Sequence, residues 1–141
     1  MHSRAGESVC LIVDDEPVIR TYLRAILQRQ GIQSLEAEDA VSGLRILHKL
    51  GGQIDLLVTD IRMPGDIDGV DLAHLAKNSF PALPIILISG YGDQGPADFP
   101  FIQKPFLPEK VLAAVNAVML PPGAQDAAAS SGEPSPATPP A

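Results

Sequence analysis

The sequence has few of the residues on which several classes of protein depend. It contains no tryptophan, aromatic residues are 4% of its 141 positions, and Cys10 is its one cysteine. A single cysteine can form neither an internal disulfide nor a thiolate zinc site, so Cys10, in an apolar run, is predicted to be a small buried side chain. No apolar stretch approaches the roughly 18 uncharged residues that a membrane-spanning helix needs. The composition therefore predicts neither a disulfide-stabilised nor a transmembrane protein.

Basic residues are also scarce. Ten Lys and Arg stand against seventeen Asp and Glu, which gives a net charge of −7 and a pI near 4.7. Domains that bind nucleic acids carry a basic patch or stripe, so contact with DNA or RNA is not expected. No long apolar segment precedes the acidic run at residues 14–16, so a secretory signal is not predicted either. The expected location is the cytoplasm.

The composition changes near residue 120. Residues 121–141 contain six Pro, six Ala, three Ser and two Gly, and they show no periodic apolar face. Such a segment has little apolar surface with which to offset the entropy of ordering, so it is predicted to be a disordered tail. Residues 7–120 are predicted to form one folded domain, and residues 1–6 a short N-terminal extension.

Within residues 7–120, short aliphatic runs alternate with segments of helical period, which predicts an α/β fold with a parallel sheet covered on both faces. Five runs are predicted strands: 9–13, 33–37, 56–60, 85–89 and 99–103. Helices are predicted from Pro17 to a stop at Gly31, and over 40–50, 70–78 and 108–119.

The connection between the fourth and fifth predicted strands is unusually short. It has nine residues, 90–98, and these include three Gly and a Pro. A helical crossover takes at least about 10 residues, so a loop or a single turn is predicted there. The fifth strand should then leave an apolar flank uncovered beside the last helix, and a partner or dimer contact is predicted through Phe99, Phe101 and Pro105.

Polar residues follow or close four of the predicted strands. They are Asp14 and Asp15 after the first, Asp60 at the end of the third, Ser89 at the end of the fourth and Lys104 after the fifth. The carboxyl ends of parallel strands meet at one edge of the sheet, where ligands bind. Crowded carboxylates repel unless a cation lies between them, and Mg²⁺ prefers oxygen ligands. Acids, metal, hydroxyl and ammonium together predict a phosphoryl-transfer site.

The same motifs, in the same order, resemble the receiver domain of two-component response regulators. The matching pieces are DDEP at 14–17, DIRMPG at 60–65 with DG at 68–69, SG at 89–90 and KPF at 104–106. The resemblance covers roughly residues 7–120. It implies a flavodoxin-like, doubly wound sheet of five parallel strands in the order 2-1-3-4-5, with the helix between strands 4 and 5 short or absent. It also implies a stand-alone receiver similar to the chemotaxis regulators.

The resemblance implies a phosphoacceptor and a set of metal ligands. Asp60 would take the phosphoryl group from a phosphohistidine on a sensor histidine kinase or a histidine phosphotransfer protein. Asp15 would bind Mg²⁺ directly, and Asp14 would act mainly through a metal-bound water. Asp60 and the backbone carbonyl of Arg62 would supply further oxygens. A downstream protein would then bind the phosphorylated form, and a homodimer is left open.

The resemblance implies roles for the remaining motif residues as well. Ser89, helped by the amide of Gly90, would contact the phosphoryl group, and Lys104 would pair with Asp60 before the reaction and with a phosphoryl oxygen after it. The peptide between Lys104 and Pro105 is expected to be cis. Phe101 holds the switch-aromatic position, although an aromatic residue in an apolar strand is as often part of the core.

Three other interpretations compete with this one, and the sequence argues against each. Asp14 and Asp15 could cap the first helix, but a cap uses one carboxylate and leaves the second unexplained. A phosphorylation-independent interaction module with the same fold should have lost an acid or the lysine, and none is lost. A phosphatase with an Asp nucleophile usually has a second acid two residues later, where Arg62 stands. We therefore expect no enzyme beyond one that catalyses its own phosphorylation and dephosphorylation.

Overall fold

Five parallel strands form one sheet in the order β2-β1-β3-β4-β5 in the computed structural model, which describes residues 8–90, 96 and 98–119. The strands are β1 Val9–Val13, β2 Gln33–Ala37, β3 Leu56–Asp60, β4 Ile85–Ser89 and β5 Phe101–Gln103. The helices are α1 Pro17–Gln28, α2 Ala40–Leu50, α3 Gly69–Ser79 and α4 Pro108–Met119, with a 3₁₀ turn at Gly51–Gln53. This order confirms the predicted flavodoxin-like fold.

The helices cover both faces of the sheet, as the continuous apolar strands predicted. Alternate residues of β1 face opposite sides: Leu11 and Val13 pack with α2 and α3, whereas Cys10 and Ile12 pack with α1 and α4. Cys10 is fully buried as predicted, and burial raises the pKa of its thiol far above the usual range. The sheet is therefore a rigid, dry layer whose strand ends can hold polar groups in place.

The helix ends follow local sequence signals. Pro17 occupies the first turn of α1, where its missing N–H is not needed. The chain leaves α1 through Gly31, whose φ of 76° is a left-handed conformation that favours glycine. Asp68 and Asp71 form a reciprocal capping box at the start of α3. Pro17 therefore marks the start of α1 soon after β1, and the capping box marks the start of α3 in the segment that follows β3.

The fifth strand is shorter than predicted. It begins at Phe101 instead of Phe99, because Pro100 has no N–H to donate and the amide of Phe99 bonds to the carbonyl of Pro96 in a turn. Phe99 is 6% exposed and packs on His74 of α3, with ring centroids 5.2 Å apart. The prediction that Phe99 belongs to an exposed flank is therefore wrong.

Phe101 and its neighbours do form an apolar flank on the described surface. Phe101 is 45% exposed and Pro105 is also exposed. A groove of about 770 Å³ lies between β5 and α4, and its lining includes Phe101, Pro105, Leu107 and Ala114. The prediction of no helix in the connection 90–98 falls mostly outside the described residues, as do the N-terminal extension and the tail. None of the described helices combines the length and the apolar character needed to cross a membrane.

Gly69 brings α3 against the end of β3. Its amide donates to the carbonyl of Ile61 at 2.9 Å, and a Cβ at this position would lie 1.7 Å from the carbonyl oxygen of Asp60. That separation is far inside van der Waals contact, and the nearest atoms are backbone, which cannot move aside cheaply. Glycine is thus required here by close packing.

We expect Gly69→Ala to destabilise the fold by about 3 kcal/mol or more, although alanine is normally the better helix former. The matched control is Gly52→Ala, where a Cβ would meet nothing within 4 Å, and its effect should stay within about 1 kcal/mol. Urea unfolding of the two variants measures both effects. Equal stabilities would contradict the close approach of Gly69 to Asp60.

Candidate functional site

Four charged side chains, three carboxylates and one ammonium, converge at the carboxyl edge of the sheet, as predicted. Lys104 Nζ lies 3.4 Å from Oδ2 of Asp14 and 3.4 Å from Oδ2 of Asp60. A carboxylate oxygen from each of Asp14, Asp15 and Asp60 lies within 4.8 Å of the others. The first two of these acids are consecutive after β1 and the third closes β3, so the parallel strands bring them together.

Asp14 is fully buried and its two carboxylate oxygens differ. Oδ1 accepts a hydrogen bond from the amide of Glu16 at 2.8 Å, which closes the turn that leads into α1. Oδ2 is buried without a hydrogen bond among the described residues, and Lys104 approaches it as an ion pair. The capping interpretation thus accounts for one oxygen only, and the other is directed into the site.

Asp60 is 5% exposed, and its pKa is raised to about 6. Burial is the largest cause of the rise and the negative charge of Asp14 adds to it, whereas the ammonium of Lys104 lowers the pKa. Burial likewise raises the pKa of Asp14. For Lys104, burial lowers the pKa, but the charges of Asp14 and Asp60 outweigh that effect and raise it. One ammonium therefore does not balance the acids around it.

The residues present fit a divalent metal ion. A buried oxygen without a hydrogen bond, a second buried carboxylate and the exposed carboxylate of Asp15 form an all-oxygen donor set open to solvent on one side. Oxygen donors of this kind suit Mg²⁺, which keeps several waters and is bound by a few carboxylates. The acidic cluster could hold such an ion. The backbone carbonyl of Arg62, two residues past β3, stays a predicted ligand.

Ser89 and Lys104 are joined through the main chain. The amide of Lys104 donates to the carbonyl of Ser89 at 2.8 Å, which ties the residue after β5 to the end of β4. Ser89 is fully buried, and its hydroxyl donates to the carbonyl of Gly90 at 3.1 Å. The structure places Ser89 at the predicted edge. Contact of its hydroxyl with a phosphoryl group stays a prediction, and so does the contact of the Gly90 amide.

The two remaining predictions concern residues around Lys104. The peptide between Lys104 and Pro105 is cis, as predicted. Phe101 and Gln103 are exposed on either side of buried Ile102, so the interpretation of Phe101 as a core residue is wrong. A switching role for Phe101 stays a prediction.

Sequence reasoning missed several residues that support the acids. Thr59 is buried and donates from Oγ1 to the carbonyl of Asp60 at 3.0 Å. Arg20 of α1 donates to the carbonyl of Asp14 at 2.7 Å and to Glu36 of β2 at 3.0 Å. The one available signal was Glu36, a charged residue in a predicted strand one position before its end. Nothing in the local pattern indicates which atom Arg20 meets.

Comparison with known proteins assigns this geometry to a family. Residues 10–116, more than half of the chain, match the family model of the response regulator receiver domain. The chain belongs to that family. A receiver protein from Sinorhizobium medicae WSM419 has a crystal structure that matches this fold with a TM-score of 0.73 at 27% identity, over 80% of this chain and 94% of that one.

Two curated relatives place similar domains in larger proteins. The chain is 32% identical over 122 residues to the sensor kinase CckA of Brucella abortus, which covers 82% of this chain and 13% of that protein. It is 33% identical over 112 residues to the DNA-binding transcriptional regulator NtrC of Proteus hauseri, covering 74% of this chain and 23% of that protein. The chain thus spans less than a quarter of either relative.

The raised pKa of Asp60 predicts a pH-dependent stability. Its folded pKa of about 6 lies above the ordinary value of 3.8, so the contribution of Asp60 is fully favourable below the ordinary value and is lost as pH rises through the folded one. Without metal, the free energy of unfolding of Asp60→Asn should rise relative to that of the wild type as the pH increases from about 4 to about 7. The rise should be on the order of 2 kcal/mol. Urea unfolding in chelator measures this difference, and a difference independent of pH would contradict the raised pKa.

Proposed function

We propose that this chain is a phosphoacceptor receiver of a two-component system, which takes a phosphoryl group from a phosphohistidine onto Asp60 with Mg²⁺. The observation that carries the proposal is the placement of Asp60. It is a buried carboxylate 3.4 Å from the ammonium of Lys104 and within 4.8 Å of the oxygens of Asp14 and Asp15. Family membership supports the same reaction.

In the proposed reaction an Asp60 oxygen forms a bond to phosphorus as the bond from phosphorus to the imidazole nitrogen breaks, and the electron pair leaves with the imidazole. With a pKa of about 6, Asp60 is mostly ionised at neutral pH and can attack. A bound divalent cation would neutralise charge on the carboxylates and the phosphoryl oxygens. Lys104, which contacts Asp60 and Asp14, would then pair with an oxygen of the transferred phosphoryl group.

Hydrolysis of the acyl phosphate by water would return Asp60 to its starting state. The chain would then act on no substrate but its own aspartyl group, and it would signal through the proteins that recognise each state. Because it spans a small part of its curated relatives, no output domain of theirs is assigned to it. The cytoplasmic location, the absence of nucleic-acid contact and any homodimer stay predictions.

A protein donor needs an accessible surface near the site, and exposed apolar side chains on α1 and before α4 offer a candidate. Val18 on α1 is 77% exposed and Leu107, before α4, is 66% exposed. Tyr22, one turn after Val18, donates to the carbonyl of Phe106 at 3.1 Å and therefore joins the two segments. A cleft of about 350 Å³ lined by Tyr22, Lys104 and Phe106 lies between them. We propose this surface as the docking site of a histidine kinase or phosphotransfer protein.

Incubation with acetyl phosphate and Mg²⁺ should add one phosphoryl group to the intact protein, because Asp60 is a buried carboxylate 3.4 Å from Lys104 and belongs to the acidic cluster. Asp60→Asn should abolish the addition, and intact-mass measurement reads both results. Asp66→Asn, at an exposed loop carboxylate, is the matched control and should label as the wild type does. Equal labelling of Asp60→Asn would rule out Asp60, and no labelling of the wild type would favour a phosphorylation-independent module.

Val18→Asp should slow phosphotransfer from a cognate histidine kinase by roughly 10-fold or more, because a charge would enter the apolar docking surface. Labelling by acetyl phosphate should stay unchanged, since Val18 lies outside the chemistry. Val41→Asp on α2 is the control, because Val41 is 44% exposed on the opposite layer. Profiling against the histidine kinases of the host supplies the donor. Equal rates for the two variants would place the docking surface elsewhere.

A further inference from the structure

The carbonyl of Asp14, which belongs to the peptide joining Asp14 to Asp15, accepts a hydrogen bond from Arg20, and Arg20 is itself paired with Glu36. Arg20 donates from Nη1 to this carbonyl oxygen at 2.7 Å and from Nε to Oε1 of Glu36 at 3.0 Å. A guanidinium presents its donors in a fixed planar fork. Glu36 therefore sets the orientation in which Arg20 meets the carbonyl.

The other polar atoms of Asp14 are constrained as well. Its amide donates to the carbonyl of Ala37 at 3.1 Å, and its Oδ1 accepts from the amide of Glu16 at 2.8 Å. With Arg20 on the carbonyl, Oδ2 is the polar atom left without a hydrogen bond among the described residues. This is the oxygen that faces Lys104. The contacts around Asp14 thus fix the direction of Oδ2 and the backbone position at which Asp15 follows.

The pair of Arg20 and Glu36 is partly withdrawn from water. Their side chains are 17% and 20% exposed, whereas Arg24, which contacts the other oxygen of Glu36, is 57% exposed. An exposed ion pair holds geometry poorly and contributes little. The pair formed by Arg20 is more enclosed and reaches the main chain of the acidic turn. Arg20 is thus suited to fixing a backbone position, and Arg24 shares its partner without that contact to Asp14.

We propose that Arg20, oriented by Glu36, is a positioning residue that sets the affinity of the Asp14 and Asp15 pair for a divalent cation. The inference rests on the proposed function, because it assumes that the acidic cluster holds Mg²⁺. Residues that orient metal ligands without touching the metal typically change the affinity by roughly 10- to 100-fold when they are replaced.

Positioning and simple electrostatics predict opposite results for Arg20. Replacing Arg20 by glutamine removes a positive charge and leaves Glu36 less compensated, so the local potential becomes more negative. If charge alone mattered, Mg²⁺ would bind more tightly. If Arg20 positions the acidic turn, Mg²⁺ binds more weakly despite the more negative potential. The sign of the change therefore separates the two effects.

The test measures the Kd of Mg²⁺ for the full chain, from the dependence of unfolding free energy on MgCl₂ concentration. We expect Arg20→Gln to weaken binding by about 10-fold, and Arg20→Lys, which keeps the charge but not the planar fork, to weaken it similarly. Arg24→Gln is the matched control and should leave the Kd unchanged. Glu36→Gln should weaken binding, and adding Arg20→Gln to it should have little further effect.

The outcomes separate the two proposals. A wild-type Kd too weak to measure would overturn the metal site of the proposed function and this inference with it. Measurable wild-type binding with equal or tighter binding by Arg20→Gln would overturn the inference alone. Unfolding in chelator shows whether Arg20→Gln folds without metal, and Arg20→Lys takes its place if it does not. Equal losses in Arg20→Gln and Arg24→Gln would assign the effect to the ion pair instead of the contact with Asp14.

Discussion

Asp14 and Asp60 lie buried side by side, with Lys104 Nζ 3.4 Å from an oxygen of each. Burial disfavours the charged form of both acids, and a single ammonium does not fully compensate them, so their pKa values are raised. An arrangement with this imbalance is stabilised by added positive charge. The cluster that could hold a cation therefore follows from where the sheet places these side chains, and the proposed chemistry depends on it.

Several contacts from separate elements hold the backbone around the acids. Thr59 and Gly69 lie against the carbonyl of Asp60, and Arg20 and the main chain of Ala37 hold Asp14. These contacts come from β2, β3 and the starts of α1 and α3. The carboxylates of Asp14 and Asp60 repel each other, and these contacts of the main chain keep them together.

The two faces of the sheet have different roles around the site. On one face, α2 and α3 pack with Phe99 into a closed apolar cluster. On the other, Val18 of α1 and Leu107 before α4 are exposed, and a cleft lined by Tyr22, Lys104 and Phe106 lies between their segments. This exposed side is the one that we propose for the docking of a protein donor. The hydrogen bond from the amide of Lys104 to the carbonyl of Ser89 ties the residue after β5 to the end of β4.

The sequence alone determined the strand order through family resemblance, and the edge at which Asp14, Asp60 and Lys104 meet, because apolar runs and the polar residues after them are local patterns. It also indicated the cis peptide before Pro105. It misjudged Phe99, because whether an aromatic residue continues a strand or turns into the core depends on Pro100 and on packing against His74. Only the tertiary structure showed that Gly69 abuts Asp60 and that Arg20, paired with Glu36, donates to the carbonyl of Asp14. Those contacts join residues on separate elements, and no local pattern specifies which atoms meet across them.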